Sequence, residues 1–226
     1  MGLLRMNRQR GALTGQIMAF LAGLTLLAGA GGGLAQERPL TIVVLGDSLS
    51  AGYGLPREAA FPEALERKLK ARGHNIRMVN AGVSGDTATG GLERLDWSVP
   101  DGTDGVIVEL GANDMLRGVD PAVTRKAIEA IVTRLKARGV AVMLAGMYAQ
   151  RNLGPAYTER FDAIYRELAE KHGLVLYPFF LEGVAGERAL NLPDGLHPTA
   201  KGIERIVERI IPAVESFLRR LDARAG

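Results

Sequence analysis

Leu40-Thr41-Ile42-Val43-Val44-Leu45-Gly46-Asp47-Ser48-Leu49-Ser50 is the stretch that decides the fold. An almost unbroken apolar run of this length reads as a strand covered on both faces, which is the habit of parallel sheets. Gly46-Asp47 ends the run, and Ser48 is left at the carboxyl end of a buried strand. Similar runs follow at Ile76–Asn80, Val106–Leu110, Val140–Ala145 and Leu174–Tyr177. Their starts are 30 to 36 residues apart, the length of a strand–helix–strand unit. The pattern predicts an α/β fold: a five-stranded parallel sheet, doubly wound, in a three-layer sandwich of flavodoxin-like form.

The intervening segments carry helix punctuation. Asp120-Pro121 supplies an N-cap followed by proline at the first helical position. Ile128, Ile131, Val132 and Leu135 then share one face, and Gly139 suits a left-handed C-terminal position. Leu69-Lys70-Ala71-Arg72-Gly73 repeats that ending. A last helix from about Pro198 presents Ile203, Ile206, Val207 and Ile210 before Pro212, which is expected to kink or restart it.

The 226 residues suit one domain. The formal charge of +3 comes from the leader. Removing its Arg5, Arg8 and Arg10 from 28 basic side chains leaves 25, against 25 acidic ones. A basic balance that vanishes in this way excludes nucleic acid as the expected partner. The leader itself has a secretory layout: arginines, an apolar part from Ile17 to Leu27, then small residues. Cleavage is expected after about Ala30 or Ala35, with residues 36–226 as the mature domain, periplasmic or secreted. The alternative is a retained N-terminal membrane anchor. Cysteine is absent, which removes thiol nucleophiles and cysteine-ligated metals. His74 and His172 flank glycines at helix ends and read as surface groups. His197 stands in a loop.

In such sheets ligands bind beyond the carboxyl ends of the strands. Gly46-Asp47-Ser48, Ala81-Gly82-Val83-Ser84-Gly85-Asp86, Gly111-Ala112-Asn113-Asp114 and Asp194-Gly195-Leu196-His197-Pro198 all fall there. A serine hydroxyl becomes a nucleophile when a base takes its proton. His197 can act as that base. Asp194, three residues earlier, can accept the other imidazole N–H. The oxyanion donors on offer are the backbone N–H groups of Ser48 and Gly82 and the side-chain amide of Asn113. Asp47 and Asp114 read as braces of their loops. The α/β-hydrolase elbow, the Walker A loop and Gly-x-Gly-x-x-Gly are absent from the sequence. A non-catalytic flavodoxin-like binding module is the rival reading on fold alone.

With these four blocks in order, the chain resembles the SGNH (GDSL) hydrolase superfamily, from roughly Pro39 to Leu221. It looks most like the bacterial arylesterase, acyl-CoA thioesterase I and lysophospholipase group. The resemblance implies Ser48 as nucleophile, His197 as base, Asp194 as its partner, and Ser48, Gly82 and Asn113 as the oxyanion hole. It implies a carboxylic ester hydrolase acting on short- to medium-chain acyl esters and thioesters, with no metal and no organic cofactor. The expected partner is a small acyl ester or thioester, with contact to lipid substrate compatible. A carbohydrate O-deacetylase is the alternative within the fold. Ala112 departs from the glycine usual in this subgroup, and Arg151 from a frequent proline; both bear on substrate approach rather than chemistry. Met115-Leu116-Arg117-Gly118 resembles the substrate loop of the thioesterase subgroup. Phe179-Phe180-Leu181 and Val184, after the fifth strand, can line an acyl groove or serve as core, so Leu116, Phe179 and Phe180 are the candidate substrate-binding residues.

Overall fold

In a computed structural model that describes residues 38–225, Leu40–Gly46 forms strand β1. The other strands are β2 (Ile76–Gly82), β3 (Gly105–Glu109), β4 (Ala141–Ala145) and β5 (Val175–Tyr177). All five pair in parallel in the order β2-β1-β3-β4-β5. The expected doubly wound sheet is present, with bounds moved by one or two residues. The leader at residues 1–35, whether signal peptide or anchor, lies outside the described residues.

Short helices α1 (Ser48–Ala51), α3 (Ala88–Glu93), α4 (Leu95–Ser98) and α5 (Ala112–Leu116) sit in the connections after β1, β2 and β3. Long helices α2 (Phe61–Ala71), α6 (Pro121–Ala137), α7 (Pro155–His172) and α8 (Ala200–Ala225) cover the sheet. Helix α2 packs with α8, while α6 packs with α3 and α7, giving a helical layer on each face. Among the described residues, no helix is long and apolar enough to cross a membrane.

The apolar run of β1 is sealed from both sides. Val43, Val44 and Leu45 have no exposed surface, and burying each such side chain is worth about 1.5–3 kcal/mol. The caps act as the sequence predicts. Asp120 accepts the Ala122 N–H ahead of Pro121, and Gly73 and Gly139 take φ of +91° and +76°. Pro212 departs from expectation, because α8 runs through it as one helix. Ile210, Ile211, Val214 and Phe217 around it are all buried, and that packing outweighs one missing hydrogen bond.

Register is what positions the chemistry. Gly46 pairs with Gly82 on one side and with Glu109 on the other. Three strands therefore end level, and their following loops start side by side.

Candidate active site

Asp47 caps α1, its Oδ1 accepting the Leu49 N–H at 2.9 Å. This sets Ser48 as the first helical residue, with its N–H outside the helix ladder. Gly46 makes the sharp exit from β1 possible. A Cβ there would stand 2.4 Å from Ser50 Oγ and 2.7 Å from Glu109 Oε2.

The Ser48 hydroxyl meets His197 Nε2 at 2.9 Å, and His197 Nδ1 meets Asp194 Oδ2 at 2.7 Å. Asp194 Oδ1 accepts the backbone N–H groups of Leu196 and His197 at 2.9 and 3.0 Å. Those N–H groups and the imidazole hold its carboxyl down at about 2. Asp194 is then a carboxylate that can only accept, so Nδ1 carries the imidazole hydrogen and Nε2 accepts from Ser48. All three sequence-predicted residues are brought together in the order that activates a hydroxyl.

The donor set differs from expectation at one position. Gly82 N–H donates to Asn80 Oδ1 at 3.0 Å. A Cβ on Gly82 would lie 2.4 Å from Ala51 N, so the missing side chain lets β2 end against α1. Gly82 lines a different cleft, with Glu63, Arg67 and Arg77. Gly85, three residues on, lines the cavity that holds Ser48, Asn113 and His197. Among the described residues no acceptor takes the backbone N–H of Ser48 or Gly85. Gly82 is thus engaged away from Ser48, and Gly85 is the glycine of that loop on the cavity wall. Asn113 is where it was expected, but its amide is engaged, donating to Asp47 Oδ2 at 3.1 Å and to Asp86 O at 3.0 Å.

The cavity measures about 660 Å³. Leu49, Met115, Leu116, Met147, Phe179 and Leu181 give it apolar walls beside Ser84, Gln150 and Asn191, and among the described residues no Asp, Glu, Lys or Arg lines it. Tyr148 stacks on Phe179 with ring centroids 4.9 Å apart. Leu116 and Phe179 are thus placed as expected, whereas Phe180 is not. Phe180 has no exposed surface and packs edge-on against Phe61 at 4.9 Å, which makes it core. A larger, more open cleft of about 900 Å³ lies along the β2 edge, lined by Arg57, Glu58, Glu66 and Arg77 among others. It contains none of the three reacting side chains, so the chemistry locates the site in the smaller one.

A family model described as the GDSL-like Lipase/Acylhydrolase family matches residues 44–205. The chain belongs to this family. It is 37% identical over 184 residues to Esterase TesA of Pseudomonas aeruginosa, covering 81% of this chain and 92% of that protein. It is 39% identical over 159 residues to Thioesterase 1/protease 1/lysophospholipase L1 of Escherichia coli K12, covering 70% of this chain and 75% of that protein. Among solved structures it is similar to the psychrotrophic esterase EstA from Pseudoalteromonas sp., inhibited by monoethylphosphonate. That match has a TM-score of 0.75 at 33% identity, over 80% of this chain and 99% of EstA.

Two further groups brace the site of this GDSL-like chain, and sequence reasoning singled out neither. Arg94 is buried and donates to Gly46 O, Ala81 O and Asp86 Oδ2, tying β1, β2 and the Gly85 loop together. Glu109 is fully buried under α1, its Oε2 accepting from Ser50 Oγ at 2.6 Å and from Asp47 N–H at 3.4 Å. Among the described residues its Oε1 has no partner. Burial, then the Asp47 charge, push Glu109 well above the usual carboxylate range. Burial also lifts Asp47, to about 6, against the pull of Leu49 N–H and Asn113. Of the two carboxyls, Asp47 has the more hydrogen-bond donors, Leu49 N–H and the Asn113 amide, to meet a negative charge.

Proposed function

We propose that this chain is a serine esterase that hydrolyses neutral short- to medium-chain acyl esters and thioesters through an acyl-enzyme on Ser48. The observation that carries the reading is the unbroken Ser48–His197–Asp194 relay, with Ser48 and His197 lining a largely apolar cavity. His197 Nε2 takes the Ser48 proton as Oγ attacks the substrate carbonyl, and the imidazolium returns it to the leaving oxygen or sulfur. Water then repeats the sequence on the acyl-enzyme. Asp194 fixes the imidazole tautomer. The N–H groups of Ser48 and Gly85 receive the oxyanion. Asn113 joins them by turning one amide hydrogen away from Asp47 Oδ2, its longer bond. A donor so placed is worth about 10²–10³ in turnover.

The cavity lining supports the substrate class. With no cation to meet a phosphate and no acid to meet an amine, it favours an apolar acyl or aryl group. The stacked Tyr148–Phe179 pair suits a flat ring or an acyl chain. The names of the relatives point the same way, to esters and thioesters. An O-deacetylase for carbohydrate has Ser84, Gln150 and Asn191 on the walls to meet hydroxyls, but the apolar side chains and the stacked Tyr148–Phe179 pair favour the acyl reading. A panel of p-nitrophenyl esters from acetate to palmitate tests the reading. Activity should peak at short to medium chains and fall for the longest; a rate rising steadily to palmitate would refute the chain-length assignment. The leader supports export. Amino-terminal sequencing of the protein recovered outside the cytoplasm should begin after Ala30 or Ala35, and an intact leader would favour the anchor.

A further inference from the structure

Tyr53 lies over the catalytic imidazole, with ring centroids of Tyr53 and His197 4.4 Å apart and planes inclined by 35°. Neither the triad geometry nor the oxyanion donors require an aromatic ring at that place. The backbone is nevertheless shaped to put one there. Gly52 and Gly54 on either side of Tyr53 hold φ of +82° and +73°, a region that L side chains rarely adopt. A Cβ on Gly52 would stand 2.5 Å from Ala60 Cβ, and one on Gly54 would stand 2.8 Å from Leu192 Cδ1. Leu192 belongs to the loop that carries the base, its N–H donating to His197 O at 2.7 Å. The Tyr53 turn and the His197 loop are thus packed on each other, and the two rings meet as a result. Tyr53 is 53% exposed, more than an aromatic side chain serving only as core filling would be.

We propose that Tyr53 is a positioning residue for the reaction, its ring face stacking on His197 and stabilising the imidazolium that forms when Nε2 takes the Ser48 proton. The attraction is between the ring quadrupole and the cation, so it is stronger in the transition state than in the resting enzyme. Asp194 and Asp47 supply the negative charges that act on the same imidazole, and they remain in place when Tyr53 is changed. The inference rests on Ser48 and His197 carrying turnover.

The test compares wild type, Tyr53→Phe, Tyr53→Leu and Tyr53→Met on p-nitrophenyl butyrate across the pH range, with thermal unfolding of each. The Leu and Met variants should lose about 3- to 10-fold in kcat with KM changed by less than about twofold. The acid limb of their kcat/KM profile should move down by about half a pH unit, since the cation loses support. Tyr53→Phe, which keeps the ring face, should restore both quantities to within about twofold of wild type. An unshifted acid limb, a deficit confined to KM, or a Phe variant as slow as Leu would each overturn the proposal. If Ser48→Ala is inactive while Tyr53→Leu behaves as wild type, the esterase reading stands and only the role of Tyr53 fails.

Discussion

Replacing Asp194 by Asn should nearly abolish turnover while leaving the fold intact. Asp194 makes three contacts of two kinds: Oδ1 accepts two backbone N–H groups, and Oδ2 accepts the His197 Nδ1 hydrogen. An asparagine that keeps its oxygen on the two N–H groups presents its NH₂ to Nδ1. The imidazole must then carry its hydrogen on Nε2, facing Ser48, where it cannot accept a proton. The flipped amide would aim two donors at the Leu196 and His197 N–H groups and lose both bonds. The first arrangement therefore dominates, and the wrong tautomer with it. A serine triad robbed of its tautomer in this way loses about 10⁴ in kcat, close to 5.4 kcal/mol at about 1.36 kcal/mol per decade. The assay is initial-rate hydrolysis of p-nitrophenyl butyrate, with kcat and KM resolved and thermal unfolding as the control. A kcat within about tenfold of wild type would refute the reasoning that Asp194 sets the tautomer.

Three further outcomes follow from the same geometry. Asn113→Ala should lower kcat by about 10²–10³ with little change in KM, and a pure KM effect would remove it from the oxyanion hole. Glu109 has a folded-state affinity for its proton above the unfolded value, so its contribution to stability is complete at acid pH. That contribution is lost as pH rises toward the folded pKa. Glu109→Gln should therefore show a smaller fall in Tm than wild type between about pH 5 and about pH 8, and equal slopes would show that no buried acid is protonated there. Phe179→Ala should cut kcat/KM about tenfold or more for medium-chain esters and much less for acetate. Phe180→Ala should instead cost about 3–5 kcal/mol of stability; a reversed pattern would exchange their places.

Much of this was legible because the informative residues are local in sequence. The β1 run and its Gly46-Asp47-Ser48 ending state both the strand and the loop that follows. The three-residue spacing of Asp194 and His197 is a turn that one segment can form alone. Gly82 was misread because the sequence does not say where β2 ends. Its pairing with Gly46 extends the strand by two residues, which leaves Gly85, further along the loop, on the cavity wall. Phe179 and Phe180 lie in the turn after β5, outside any strand or helix period, so the sequence pattern cannot say which ring goes to the cavity and which to the core. Arg94, Glu109 and Tyr53 were missed for a different reason. Their contacts reach 48, 59 and 144 positions along the chain, from Arg94 to Gly46, Glu109 to Ser50 and Tyr53 to His197, relations that only the folded chain displays.

The central claim is that Ser48 is the nucleophile, and the most direct measurement is covalent. Wild type and Ser48→Ala, both shown to be folded, are treated with a p-nitrophenyl alkylphosphonate and analysed by peptide mass spectrometry alongside the rate of p-nitrophenyl butyrate hydrolysis. The structure predicts one adduct, on Ser48, loss of wild-type activity as it forms, and neither adduct nor hydrolysis above about a thousandth of the wild-type rate in Ser48→Ala. An adduct on another residue, or equal hydrolysis by the two proteins, would contradict it.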